Sequence, residues 1–220
     1  MKHTNHLLAA VFCLIASTTV SHAQTLCIGP AAGWLHNMPS GQQDTGDGLY
    51  VGATGEIGFS GKRSGWFASA SLLFEKKKWD SNGYLYAPGA GGQTSSNTWH
   101  YTTYGFKIPV SVGYGVRLSG AARLYAAAGP YLSIGLAGKE RVTTYIQSDG
   151  QMLEKEVSDN VFSDHIMNRV GWGIGANMGM ELLGRYRVNI AYDHSMNDIF
   201  KDAHTDSKHR TLSIGVGYMF

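Results

Sequence analysis

Cysteine is nearly absent from this chain: its 220 residues hold two, Cys13 and Cys27. The first falls in an apolar N-terminal segment expected to be removed, so Cys27 would stand alone in the mature chain. One thiol excludes an intramolecular disulfide and leaves no paired thiolates for a metal or redox centre. Bulky Phe12 and Leu26 precede the two cysteines where a lipoprotein box needs a small residue. Charge is scarce as well: Asp, Glu, Lys and Arg make up 15% of the chain, against a usual ~25%. With a net charge of +2 and one basic run, Lys76 to Lys78, there is no footprint for nucleic acid or another acidic polymer. Long hydrophobic runs are also missing. No stretch of 18 apolar residues follows residue 23, which excludes a transmembrane helix.

What the chain does have is glycine, 29 residues, and aromatics at 11%. Few charges with many glycines and aromatics describe neither a polar-skinned soluble globule nor a helical membrane protein. The N-terminus, "MKHTNHLLAAVFCLIASTTVSHAQ", has a short basic start, an apolar run from Leu7 to Val20 and then Ser21-His22-Ala23. This predicts a secretory signal peptide over 1–23 and a mature domain over 24–220.

A period of two dominates the mature chain and predicts eight strands, at 25–35, 49–59, 66–77, 101–117, 123–137, 166–182, 185–197 and 210–220. In "YGFKIPVSVGYGV", Tyr104, Phe106, Ile108, Val110, Val112, Tyr114 and Val116 share one face, while Lys107, Pro109, Ser111, Gly113 and Gly115 share the other. "VGWGIGANMGMEL" sets Val170, Trp172, Ile174 and Met178 against Gly171, Gly173, Gly175 and Asn177 in the same way. A soluble sandwich would carry Lys, Glu and Thr on its polar face. Here that face is made of very small residues, which suits a crowded interior. The apolar face then points outward and requires lipid.

Connection lengths agree. Links 60–65, 118–122 and 183–184 are short, whereas 36–48, 78–100, 138–165 and 198–209 are long. Outer-membrane barrels alternate tight periplasmic turns with long extracellular loops in this way. Outward aromatics fall into two belts: Phe59, Trp66, Tyr114, Tyr186 and Tyr218 at the periplasmic rim, and Trp34, Phe74, Tyr104, Phe106, Trp172 and Tyr192 at the outer rim. The pattern runs unbroken to Phe220, as a last strand must if it closes on the first and leaves no edge in lipid. The prediction is an all-β, eight-stranded antiparallel up-and-down transmembrane barrel.

The segments "CIGPAAGWLHNM", "FKIPVSVGYGVRL", "LYAAAGPYLSIGL", "NRVGWGIGANMGMEL", "YRVNIAYDHSMNDI" and "LSIGVGYMF" resemble small outer-membrane β-barrel proteins of the porin family, PorT-like type, of Gram-negative bacteria. The resemblance covers nearly the whole mature chain and implies residence in the outer membrane. The terminal Phe220 resembles the signal read by barrel-insertion machinery. The family shares no single activity, and the PorT likeness admits a role within a secretion machine.

An eight-stranded barrel has an interior that side chains can fill. The predicted lumen charges are Glu56, Glu75, Glu181 and Asp193 against Lys107, Arg117, Arg123, Arg185 and Arg187. Placing Trp66 opposite Val116 sets Glu75 opposite Lys107. A plug of ion pairs is the favoured reading of these charges, and a narrow passive pore the alternative. His194 and Ser195 sit where a lipid-modifying barrel would carry catalytic residues, but adjacent residues point to opposite faces of a strand, so no base–nucleophile pair is expected. Asp198, Asp202, His204, Asp206 and His209 show no metal-ligand spacing. The glycines at 171, 173 and 175 lie inside a strand and precede no helix, which excludes a phosphate-cradling loop. "RVTTYIQ" and "QMLEKEV" flank "SDG", which predicts a hairpin continuing the fifth and sixth strands beyond the membrane, with Asp149-Gly150 in its turn. The expected role is structural or surface-interacting and non-enzymatic, without cofactor or metal. The expected partners are outer-membrane lipid, the insertion machinery, and a protein or glycan at the extracellular loops.

Overall fold

The computed structural model describes residues 25–40, 43–60, 64–86, 94–146, 151–158, 160–162, 166–201 and 207–220; for 83–86, 94–96, 145–146 and 151–158 it describes the backbone alone. The signal segment 1–23, the Asp149-Gly150 turn, and Asp202, His204 and Asp206 lie outside the described residues. The strands are β1 Thr25–Asn37, β2 Gly46–Gly58, β3 Gly65–Tyr86, β4 Thr94–Arg117, β5 Ala122–Ile146, β6 Gln151–Ser158, β7 Val170–Leu182, β8 Tyr186–Ser195 and β9 Arg210–Tyr218. All but β6 pair antiparallel with their neighbours in a ring, β1-β2-β3-β4-β5-β7-β8-β9, and β9 returns to β1. This is the eight-stranded barrel. The described residues contain no helix.

Closure reaches the last residue. Residues 31–37 of β1 pair with 217–211 of β9, and the Phe220 N–H donates to the Ile28 carbonyl at 2.9 Å. No backbone edge is left facing lipid at the seam. The shortest turn, between β7 and β8, places Leu183 at φ 52° and Gly184 at φ 68°. These two consecutive left-handed residues reverse the chain within a three-residue connection, 183–185, in which the Arg185 N–H donates to the Leu182 carbonyl at 3.0 Å; Gly184 adopts the conformation freely and Leu183 does not.

Three strand boundaries correct the sequence reading. β3 runs on past the predicted 77 and β4 begins before the predicted 101, so most of the expected loop 78–100 is paired strand, and β7 begins at Val170 rather than at 166. The predicted hairpin pairs β5 with β6, Ile146 opposite Gln151 and Glu140 opposite Ser158. However, β6 does not continue into β7. The described residues between them, 160–162 and 166–169, include Val161, whose N–H donates to the Gly138 carbonyl at 2.9 Å. The β3–β4 register differs by two residues, with Trp66 opposite Tyr114 and Glu75 opposite Gly105.

Candidate functional site

The lumen is layered. At the periplasmic level Arg123, Glu181 and Arg187 are direct neighbours across β5, β7 and β8. Glu56 reaches them from β2. Arg123 Nη1 donates to Glu56 at 2.8 Å and to Glu181 at 3.5 Å, while Arg187 Nη2 donates to each at 2.8 Å. The guanidinium of Arg123 lies 4.8 Å from the Phe67 ring centre and that of Arg187 lies 5.2 Å from that of Tyr125. Two acids and two bases cancel, which a buried charge cluster needs.

A second level lies nearer the outside. Lys107 Nζ contacts Asp193, stands 3.8 Å from Glu75 and lies 5.0 Å from the Tyr131 ring centre. Lys77 bonds Glu75 at 2.8 Å and completes a second neutral set of four. The predicted Glu75–Lys107 pair is thus made diagonally rather than across the ladder, because Leu73 is the residue opposite Lys107. Between the two levels is a cavity of about 120 Å³ lined by Thr54, Ser69, Ser111, Asn177, Asn189 and Ser213 among others. Inward tyrosines stack over strand glycines here: a Cβ on Gly179 would lie 2.6 Å from the Tyr125 hydroxyl, and one on Gly173 2.8 Å from that of Tyr131.

Two of the nine predicted lumen charges are elsewhere. Arg117 and Arg185 are exposed at the periplasmic mouth, and Arg185 donates to the Tyr218 hydroxyl at 3.0 Å. Alternation holds only within the strands, and both sit where a strand meets a turn. Glu56, Glu75, Lys107, Arg123, Glu181, Arg187 and Asp193 are all buried. On the outer wall Phe59, Trp66, Tyr114, Tyr186 and Phe220 are exposed at one rim, and Tyr218 packs between Tyr186 and Phe220. Trp34, Phe74, Phe106, Trp172 and Tyr192 are exposed at the other, with Tyr104 stacked on Phe74.

Sequence reasoning missed the outer end. Trp79, Tyr101, Val161, Phe162, Met167 and Ile199 are buried together, with Trp99, Ile166 and Phe200 packed against them. This apolar cap sits over the second charge level and encloses a further cavity of about 80 Å³ lined partly by Tyr131, Asn197 and His209. The signal for it was the set of apolar residues at 161–162 and 199–200 inside otherwise polar loops, together with 166–167, which the sequence reading placed at the start of a strand. Two titratable groups at this level are perturbed. Burial holds Glu140 above the usual carboxylate range, opposed by a hydrogen bond from the Tyr101 hydroxyl (3.1 Å). Burial, then the Lys77 cation, hold His209 well below the usual histidine range. His194 and Ser195 do face opposite ways, and the Ser195 hydroxyl donates to the Asn197 carbonyl at 2.9 Å. Among the described residues no three His, Cys, Asp or Glu side chains are grouped to hold a metal ion.

Above the cap, β3, β4, β5 and β6 form a four-stranded sheet, with Asp80, His100 and Arg141 in one row and Arg141 opposite Glu156. From Lys77 to Tyr86 the extension spans roughly 30 Å. Among the described residues β6 pairs on one side only.

A family model described as "Outer membrane protein beta-barrel domain" matches residues 23–201. No curated protein matches the chain. Similar solved structures include Ail, the attachment invasion locus protein of Yersinia pestis, in complex with the heparin analogue sucrose octasulfate (12% identity, 89% of this chain and 99% of that one, TM-score 0.36). Neisserial surface protein A shares 11% identity over 90% of this chain and 99% of its own, with a TM-score of 0.39. OprG from Pseudomonas aeruginosa shares 12% over 89% and 95%, with a TM-score of 0.40.

Proposed function

Because the chain belongs to the outer membrane protein β-barrel domain family and resides in the Gram-negative outer membrane, we propose that it is a non-enzymatic, non-conducting surface-interaction protein. The carrying observation is the extracellular sheet, whose β6 edge leaves backbone donors and acceptors unpaired among the described residues. An extended segment of a partner protein can add to such an edge by main-chain hydrogen bonds. The barrel acts as its anchor. Two neutral charge levels rigidify and plug the lumen, and the cap closes the outer end. A secretion-machine component would use the same edge to hold its partner.

The second reading, a small passive channel, is favoured by the hydroxyl- and amide-lined cavity between the charge levels. One experiment separates the two. The refolded mature chain, 24–220, is placed in a planar bilayer, and its conductance is compared with that of Glu75→Gln and Lys107→Gln variants. The plugged reading expects silence from the parent. Steady discrete openings that change on neutralising Glu75 or Lys107 would overturn it. In parallel, cells displaying the chain are tested against immobilised protein ligands. Shortening the β5–β6 hairpin by residues 143–156 should abolish any binding while leaving assembly intact.

A further inference from the structure

Outward-facing charge is distributed unequally between the two rims. At the periplasmic rim one described cation reaches the outer wall, Arg185, and the Tyr218 hydroxyl holds it. Just beyond the outer aromatic belt the outward face carries Lys76, Lys78, Lys139, Arg141 and Arg210. Of the described acids at that level, Asp47 pairs with His36 at 2.8 Å and Asp80 with His100 at 2.9 Å.

The cations concentrate on one wall. Lys78, Thr102 and Lys139 are direct neighbours across β3, β4 and β5. Lys76 and Lys78 share one face of β3 two residues apart, so their Cα atoms lie roughly 7 Å apart, within reach of a single tetrahedral anion for two long side chains. Lys76 stands two residues nearer the membrane, opposite Tyr104, with its Nζ 5.5 Å from that ring centre. Neither Lys76 nor Lys78 forms a salt bridge with a described residue. Along the strand, Lys76 and Lys78 lie roughly 7 and 13 Å beyond Phe74, the depth at which an interfacial aromatic gives way to lipid headgroups.

We propose that this face binds the phosphate of an outer-leaflet lipid headgroup, with Lys76 and Lys78 as its principal ligands and Thr102 contributing a hydroxyl. The lysine stems lie along the apolar belt while their ammonium groups reach the headgroup plane. The belt and the lysine row together then recognise both parts of a phosphorylated lipid: acyl chains against Phe74 and Phe106, and phosphate above them. This site is independent of the sheet edge that serves a protein partner.

The test uses the folded chain in neutral detergent, titrated separately with lipid A, phosphatidylcholine and inorganic phosphate, with bound lipid counted by native mass spectrometry. Lys76→Gln/Lys78→Gln should lower lipid A occupancy at least fivefold and leave phosphatidylcholine occupancy unchanged. Lys76→Arg/Lys78→Arg should retain lipid A, as should Arg210→Gln on the opposite wall. Unchanged lipid A occupancy in the double glutamine variant would overturn the site, as would equal loss of both lipids. Displacement of lipid A by equimolar inorganic phosphate would overturn the lipid assignment and leave a free-anion site. All substituted side chains face outward, and a heat-shift gel confirms that each variant is folded.

Discussion

Replacing Arg187 by Met should destabilise the barrel by about 3–5 kcal/mol, the usual cost of removing one partner from a buried ion pair. Arg187 spans both acids of the periplasmic level, Glu56 and Glu181, at 2.8 Å each. Met replaces the aliphatic stem of the side chain but leaves two carboxylates facing the single guanidinium of Arg123. Burial decides the magnitude. Glu181 is 2% exposed, Arg123 4%, Glu56 5% and Arg187 7%, so bulk water does not already share these contacts. An exposed pair would cost at most about 1 kcal/mol. With a urea slope of about 3 kcal/mol per molar, the unfolding midpoint in detergent or lipid vesicles should fall by about 1–1.7 M. A second substitution sharpens the test. Glu56→Gln on the Arg187→Met background restores one acid against one base, Glu181 with Arg123, so the double variant should be more stable than the sum of the singles by 1 kcal/mol or more. If Arg187→Met costs under about 1 kcal/mol and the double variant is additive, the lumen is solvated at this level and the plug is not the stabilising element.

A Cβ at Gly135 would strike the Phe162 ring, so Gly135→Val should expel the cap and speed hydrogen exchange at the Val161 and Met167 amides, which bond to Gly138 and Val161. Unchanged exchange would show that the cap is not seated on that wall. Leu183 holds a left-handed conformation while 70% exposed, so Leu183→Asn should stabilise the barrel by about 1 kcal/mol in the same urea assay. A loss of stability would mean that the leucine's membrane contact outweighs its backbone strain. Because burial raises the folded-state pKa of Glu140, the folded protein binds that proton more tightly than the unfolded chain. Deprotonation therefore costs stability at neutral pH, a cost relieved as pH falls through the folded pKa and absent below the unfolded value of ~4.3. Glu140→Gln, which keeps an acceptor for Tyr101, should stabilise at pH 8 and match the parent below pH ~4 in thermal unfolding.

How far the sequence led depends on what a period of two can encode. Alternation reports which wall of the sheet a residue faces, and on that point Glu56, Glu181, Trp172 and Phe106 were legible. It says nothing of register in steps of two. Sliding β4 by two residues leaves every side chain on its original face, which is why Trp66 was set against Val116 when Tyr114 stands there. A slip of one would have turned Lys107 into the lipid and could not have passed unnoticed. Alternation also lapses where a strand meets a turn, so Arg117 and Arg185 were placed inside when they open to the periplasmic mouth.

The cap was invisible for a different reason: Val161, Phe162, Met167 and Ile199 lie in connections with no period at all, and only the closed barrel brings residues 79, 101, 161 and 199 to one place. That arrangement also explains a feature that alternation alone would call an error. Trp79 and Tyr101 occupy the inward-facing series of β3 and β4, where lower in the barrel the same series carries Glu75 and Lys107. The inward face changes from charged to apolar as the strands leave the membrane. Within the bilayer the outer wall is already apolar, so the interior must be polar and self-neutralising to distinguish the two sides of each strand. Above it the outer wall meets water, and the inward side can be the dry one. The inversion between Lys77 and Trp79 therefore marks, in the sequence itself, the height at which the barrel emerges from lipid, and it coincides with the row of Lys76 and Lys78 on the opposite face.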